Sequence, residues 1–144
     1  MRKADKLKLL VIDGQGGQLG AAIIKTVSER FAQVEITAVG TNANATAAMV
    51  KAGAKRAATG ENPVAVTASS ADVIIGPIGI VIADSMLGEI TPKMAEAVGK
   101  SKAVRILIPM NKCENIVAGV KSASVSALIE DAIDSLIEIL ENNA

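Results

Sequence analysis

The amino-acid sequence predicts an α/β domain with a mainly parallel sheet and helices on both of its faces. Three observations carry that expectation. Short apolar runs alternate with helix-period segments along the whole chain, the pattern of strand–crossover–strand units. Half of the 144 residues are apolar, chiefly alanine, valine and isoleucine, with Phe31 the only aromatic. Small and β-branched side chains of this kind suit a sheet buried on both faces. Finally, the first apolar run ends in Gly14-Gln15-Gly16-Gly17-Gln18-Leu19-Gly20, a turn suited to lead from a buried strand into a helix.

The elements follow in order. Residues 7–13 form a short apolar run of strand character. Residues 17–30 turn helical, with Leu19, Ile23, Ile24, Val27 and Phe31 at three- and four-residue spacing. Residues 34–40 are a second strand; Asn42 or Asn44 caps the next helix, and Gly53 ends it. Residues 55–59 are a third strand. Asn62-Pro63 reads as cap and first residue of a short crossover helix to Ser69. Residues 72–76 are a fourth strand. Residues 78–87 read as a buried helix, with a strand as the alternative because of their β-branched content. Thr91-Pro92 starts a helix to Gly99. Residues 103–109 are a fifth strand and residues 115–119 a sixth. Ser122 or Ser124 opens the last helix, whose stripe of Val125, Leu128, Ile129, Ala132, Ile133, Leu136, Ile137 and Leu140 is broad enough to cover the sheet and touch a second subunit.

Right-handed crossovers then give a three-layer, Rossmann-like domain of 144 residues with strand order 3-2-1-4-5-6. The loops after strands one and four meet at the switch point of that order, where such sheets receive their ligands.

Composition narrows the function. Fifteen basic and fifteen acidic residues cancel, and no set of aromatics exists for stacking bases, so no nucleic-acid partner is expected. The longest apolar run, residues 73–83, is broken by Gly76, Pro77 and Gly79 and is too short for a membrane span. The charged start, Met1 to Lys6, leads into a strand without a cleavage-site pattern, so no signal peptide is expected. With Cys113 as the single cysteine, the expected location is the cytoplasm. Histidine is absent, which removes the usual metal ligand and the usual general base.

Five loops gather candidate chemistry. In the glycine turn, positive φ on leaving the strand is assigned to Gly14, and close approach of a phosphate to Gly16 or Gly17. Tight helix–strand packing is assigned to Gly20, and Gln15 lies within the same phosphate-facing turn. The bland alternative is a turn that needs glycine for geometry alone. Asp13 stands in front of this turn, where its charge opposes a pyrophosphate. Strand two ends in Gly40-Thr41-Asn42 without the acid that normally holds a ribose diol. Thr41 and Asn42 are instead assigned to a ribose or 2′-phosphate, with Lys51, Lys55 or Arg56 as added charge, or else to helix capping.

Glu61 follows strand three at the same sheet edge. Gly76-Pro77-Ile78-Gly79 follows strand four, either facing the ligand or making a rigid corner. Asp84 and Glu89 crowd one loop with Lys93. The bland reading is an ion pair, and the functional one a Mg²⁺ or substrate site shared with Asp13 and Glu61. Lys112 beside Cys113 is a nucleophile signature, though such a cysteine is more often a small hydrophobe.

The stretches Val11 to Gly17, Gly40-Thr41-Asn42-Ala43, Ala58 to Asn62, Gly76 to Ile80, Leu87 to Met94 and Ser101-Lys102-Ala103 carry a resemblance. The chain resembles a bacterial family of small Rossmann-like proteins catalogued only as a domain of unknown function. It departs from that family's pattern at Pro63 and Asp84, and the second departure weakens a catalytic role for Asp84. The resemblance implies a fold and a shared site rather than an activity.

Three functions follow as expectations. The first is a protein binding a nucleotide, NADP or another, or a small phosphate-bearing ligand, with an NADP-type oxidoreductase or related small enzyme as its catalytic form. Gly14, Gln15, Gly16, Gly17, Gly20, Thr41, Asn42, Gly76, Pro77 and Gly79 would hold it, in a homodimer, with Asp13, Glu61 and Glu89 as the acid–base candidates and no metal. The second is a non-catalytic ligand-sensing or interaction module. The third is a Mg²⁺-dependent phosphate-handling enzyme using Asp13 and Glu61.

Overall fold

The computed structural model describes residues 6–110, 115–120 and 123–143. Its elements run β1 (Leu7–Asp13), α1 (Gln18–Arg30), β2 (Val34–Gly40), α2 (Ala43–Lys51), β3 (Arg56–Thr59), α3 (Glu61–Ala68) and β4 (Val73–Pro77). A 3-10 turn (Ile78–Val81), α4 (Pro92–Gly99), β5 (Val104–Ile108) and α5 (Val125–Asn142) complete them. The strands form one parallel sheet in the order β3-β2-β1-β4-β5.

The two-residue period of the strands divides the core. Leu9 and Val11 of β1 face the α1 and α5 side, where they meet Ile23, Ile24, Val27, Ile133 and Leu136. Leu10 and Ile12 face the other side and meet Val64 and Ala68 of α3 and Met94 and Val98 of α4. A parallel strand covered by helices on both faces is hydrophobic throughout rather than alternating, as Leu9 to Ile12 are. Truncating one of these fully buried side chains to alanine costs about 2–5 kcal/mol. The stripe on α5 is absorbed largely within the chain, since Ala132, Ile133 and Leu136 are buried and Leu128, Ile129, Ile137 and Leu140 pack beside them.

Capping chemistry sets where the helices begin. The Asn42 side chain accepts the Ala45 amide, Thr91 the Met94 amide and Ser124 the Ala127 amide, all at positions expected from sequence. The crossover helix differs. Gly60, at φ 107, precedes α3, so the helix begins at Glu61, two residues before Pro63. Pro63 then falls in the first turn, where its missing N–H has no intrahelical partner to lose.

Two expected elements are corrected. The sixth strand is not formed. Residues 115–120 instead make a turn in which the Val120 amide donates to Val117, Gly119 takes φ 87, and Ile116 is 95% exposed. A strand there has neither a ladder partner nor a buried face, and β5 is the sheet edge among the described residues. The helix expected over residues 78–87 stops after one 3-10 turn. Its β-branched run disfavours a longer helix. The chain then takes left-handed conformations at Asp84 (φ 66), Met86 (φ 57), Leu87 (φ 58) and Gly88 (φ 89). Bonds from the Asp84 amide to Ile90 and from the Ile90 amide to Ser85 close this loop, and Ile90 is fully buried beneath it.

Candidate functional site

The carboxyl ends of β1 and β4 lie side by side, with Val11 paired to Ile75. The chain leaves β1 through the glycine turn and β4 through Pro77. Between the two exits lies a cleft of about 270 Å³. Its floor is residues 13–19, and its far wall holds Pro77, Ile78, Gly79, Ile82, Met86 and Leu87, with Met110 and Asn115 at the rim.

Asp13 anchors the glycine turn. Its carboxylate is buried, with Oδ1 accepting the Gly14 amide at 2.8 Å and Oδ2 the Gly20 amide at 2.7 Å. Burial pushes the carboxyl above its ordinary value. The Gly20 and Gly14 amides, which favour the anion, offset only part of that, and nearby Glu89 adds to the rise. Asp13 thus ties the two ends of the turn together from within.

Each glycine has its own reason. Positive φ falls on Gln15 (φ 50) and Gly17 (φ 73), not on Gly14 as expected. Gly14 is glycine for space: a Cβ there would stand 2.7 Å from both Met86 Sδ and Thr41 Oγ1. Gly17 also lies against the Ala45 backbone. Gly20 gives the tight packing foreseen, since a Cβ would meet Met49 Sδ at 2.7 Å. Gly76 is backed by the Ile12 carbonyl at 2.5 Å from its missing Cβ, so it serves strand contact, while Pro77 and Gly79 line the cleft. Gly16 is different. A Cβ there would find only Gln18 Cγ, at 3.9 Å.

The amides of Gly16 and Gln18 donate to no acceptor among the described residues, and both residues line the cleft. They sit at the N-terminus of the 13-residue helix α1, where partial positive charge gathers.

Glu89 belongs to the other side of the turn. Its Oε1 accepts the Thr41 hydroxyl at 2.6 Å, the Gln15 amide at 2.9 Å and the Asn42 side-chain amide at 2.9 Å. Partial burial raises this carboxyl, but the bonds from Thr41, Gln15 and Asn42 outweigh it and hold the group below its ordinary value. Thr41 and Asn42, expected to contact a sugar, therefore hold this carboxylate, and Asn42 also caps α2 and donates to the Gln15 carbonyl. The expected pairing of Asp84 or Glu89 with Lys93 does not occur; among the described residues the ion pairs are Arg56–Glu35 and Lys100–Glu96. Arg56 is thereby turned to Glu35, and Lys51 and Lys55 are exposed.

Glu61 opens α3 and accepts the Thr91 hydroxyl at 2.6 Å, tying the starts of α3 and α4 together. Among the described residues no group of three or more aspartate, glutamate or cysteine side chains is placed to hold a metal ion. No helix of the described residues is long and apolar enough to cross a membrane. Lys112 and Cys113 lie outside the described residues.

Sequence reasoning missed Gln18 and the apolar wall of Ile82, Met86 and Leu87. Gln18 is legible as the residue that follows Gly17 and opens the helix. The wall is not, because the apolar pattern of residues 78–87 announces a helix or a strand and not a loop that folds back.

The fold is that of a Rossmann-like α/β protein, with a cleft over the turn after β1 at the switch point of its sheet. The chain belongs to the family described as Domain of unknown function (DUF3842), whose model matches residues 8–141. No curated protein matches it. Among solved structures it is similar to a dodecameric FMN-dependent UbiX-like decarboxylase from Escherichia coli O157:H7. That similarity has 18% identity and a TM-score of 0.47 over 90% of this chain and 75% of that one.

Proposed function

We propose that this protein binds a small phosphate-bearing ligand in the cleft over its glycine turn. One observation carries the reading: the Gly16 and Gln18 amides, at the start of α1, have no acceptor among the described residues, and both residues line a cleft of about 270 Å³. Backbone amides at a helix start, with no Cβ in the way at Gly16, make an anion site. The volume lies just under the roughly 300–1,000 Å³ of sites for drug-sized ligands. It suits one phosphate group with a small, largely apolar body against Pro77, Ile82 and Met86. Within the nucleotide class a mononucleotide fits this reading better than NADP, because Glu89 holds the groups that would take a 2′-phosphate. Isothermal titration with inorganic phosphate, AMP and NADP tests it. Binding of phosphate or AMP, weakened in Gly16→Ala, is expected; no heat from any of the three at millimolar concentration overturns it.

A second reading, a ligand sensor without catalysis, is favoured by the fate of the acids. Asp13 accepts two backbone amides, Glu89 three donors and Glu61 the Thr91 hydroxyl. Each thus serves the architecture, and the chain has no histidine to act in their place. Mass spectrometry of a bound nucleotide after prolonged incubation should return it unchanged; a converted product overturns the sensor reading.

A further inference from the structure

In sheets of this order, a ligand longer than one phosphate group runs from the glycine turn toward the end of strand two, where its ribose is received. Here that path is filled by the chain itself. Glu89 Oε1 takes donors from two separate segments: the Gln15 amide of the glycine turn, and the Thr41 hydroxyl and Asn42 amide at the end of β2. The loop bearing Glu89 lies over Gly14, with Met86 Sδ and Glu89 Oε1 at 2.7 and 3.0 Å from where a Cβ would stand. Three convergent donors are a site for an anionic or hydroxylated group, and a carboxylate already occupies it. The cleft continues instead on the other side of the turn, along the apolar wall after β4.

We propose that Glu89 is an internal occupant of the site: it holds the donors Gln15, Thr41 and Asn42 that a longer ligand would engage, and so restricts the site to ligands with a single phosphate group. The inference rests on the reading of the glycine-turn cleft as a phosphate site. A ligand extending toward β2 must first displace Glu89, so its apparent affinity is reduced by the fraction of chains in which that carboxylate is released. This is specificity by exclusion.

The test is titration of the full chain, and of Glu89→Gln and Glu89→Ala, with inorganic phosphate and with NADP, each chain first checked for folding by circular dichroism. Glutamine keeps an acceptor without the charge, so it occupies the donors more weakly; alanine vacates them. NADP affinity is expected to rise in the order wild type, Gln, Ala, reaching about tenfold for Ala if about one chain in ten is released in the wild type. Phosphate is expected to gain much less, since only the loss of a nearby charge acts on it. In parallel, amide hydrogen exchange at Gln15 should quicken at least as much in Glu89→Ala, while Gly20, held by Asp13, keeps its protection. Equal gains for phosphate and NADP, or unchanged NADP binding, overturn the inference and leave the phosphate site standing. Binding of neither ligand to any of the three chains overturns the phosphate site and this inference with it.

Discussion

Asp13 reaches seven residues forward to accept the amide of Gly20 at 2.7 Å, while its other oxygen accepts Gly14. One buried carboxylate thereby closes the turn between β1 and α1. Asparagine at this position keeps one acceptor and sets an NH₂ group against an amide N–H. Asp13→Asn is therefore expected to destabilise by about 1–3 kcal/mol, the cost of an unpaired buried donor. At roughly 2–4 °C per kcal/mol, thermal denaturation resolves it, and an unchanged midpoint contradicts the anchoring role.

Gly16 and Gly20 should respond in opposite ways to alanine. The Gly20 methyl would sit 2.7 Å from Met49 Sδ and 3.0 Å from Asp13 Cβ, so Gly20→Ala should lose about 1–3 kcal/mol to overpacking. The Gly16 methyl meets open space, so Gly16→Ala should hold or slightly raise stability, by up to about 1 kcal/mol, while weakening phosphate binding. Urea unfolding with parallel titration separates the two. Unaltered phosphate binding in a stable Gly16→Ala would mean that this glycine serves geometry alone.

Leu87 is 99% exposed, takes φ 58 and lines the cleft. A leucine that packs on almost nothing, in a backbone conformation costing about 1–2 kcal/mol, is held there at a stability loss. Leu87→Gly removes that strain but gains about 0.5–1 kcal/mol of unfolded-state freedom. The variant should match or exceed the wild type by up to about 1 kcal/mol and bind the cleft ligand less well. A stability loss beyond about 1 kcal/mol, read by urea unfolding, refutes the strain.

The two acids at the turn give opposite pH dependences. Glu89 titrates below its ordinary 4.5 in the fold, so its contribution is present above that value and is lost as pH falls through the folded value. Asp13 titrates above its ordinary 3.8, so its contribution is present below that value and is lost as pH rises through the folded one. Glu89→Gln should thus differ most from the wild type above pH 4.5 and converge with it in stronger acid. Urea midpoints across that range check the sign; a difference that grows toward acid reverses it.

The sequence by itself determined the alternation of strands and helices, the sheet order from β3 to β5, the caps Asn42, Thr91 and Ser124, and the place of the glycine turn. These rest on local causes: periodicity, capping side chains and glycine at a strand end. Only the tertiary structure decided which donors each acid meets. Glu89 lies 74 residues from Gln15 and 48 from Thr41 in the chain, and no spacing announces that a loop after β4 will supply a carboxylate at the end of β2. The loop with left-handed residues Asp84, Met86, Leu87 and Gly88 was hidden for the same reason. It exists because Ile80 and Ile90 are both drawn into the core, and the chain between them must fold back whatever its local preference. Residues 115–119 failed as a strand because strand formation needs a partner and a covered face, and apolar residues supply neither by themselves.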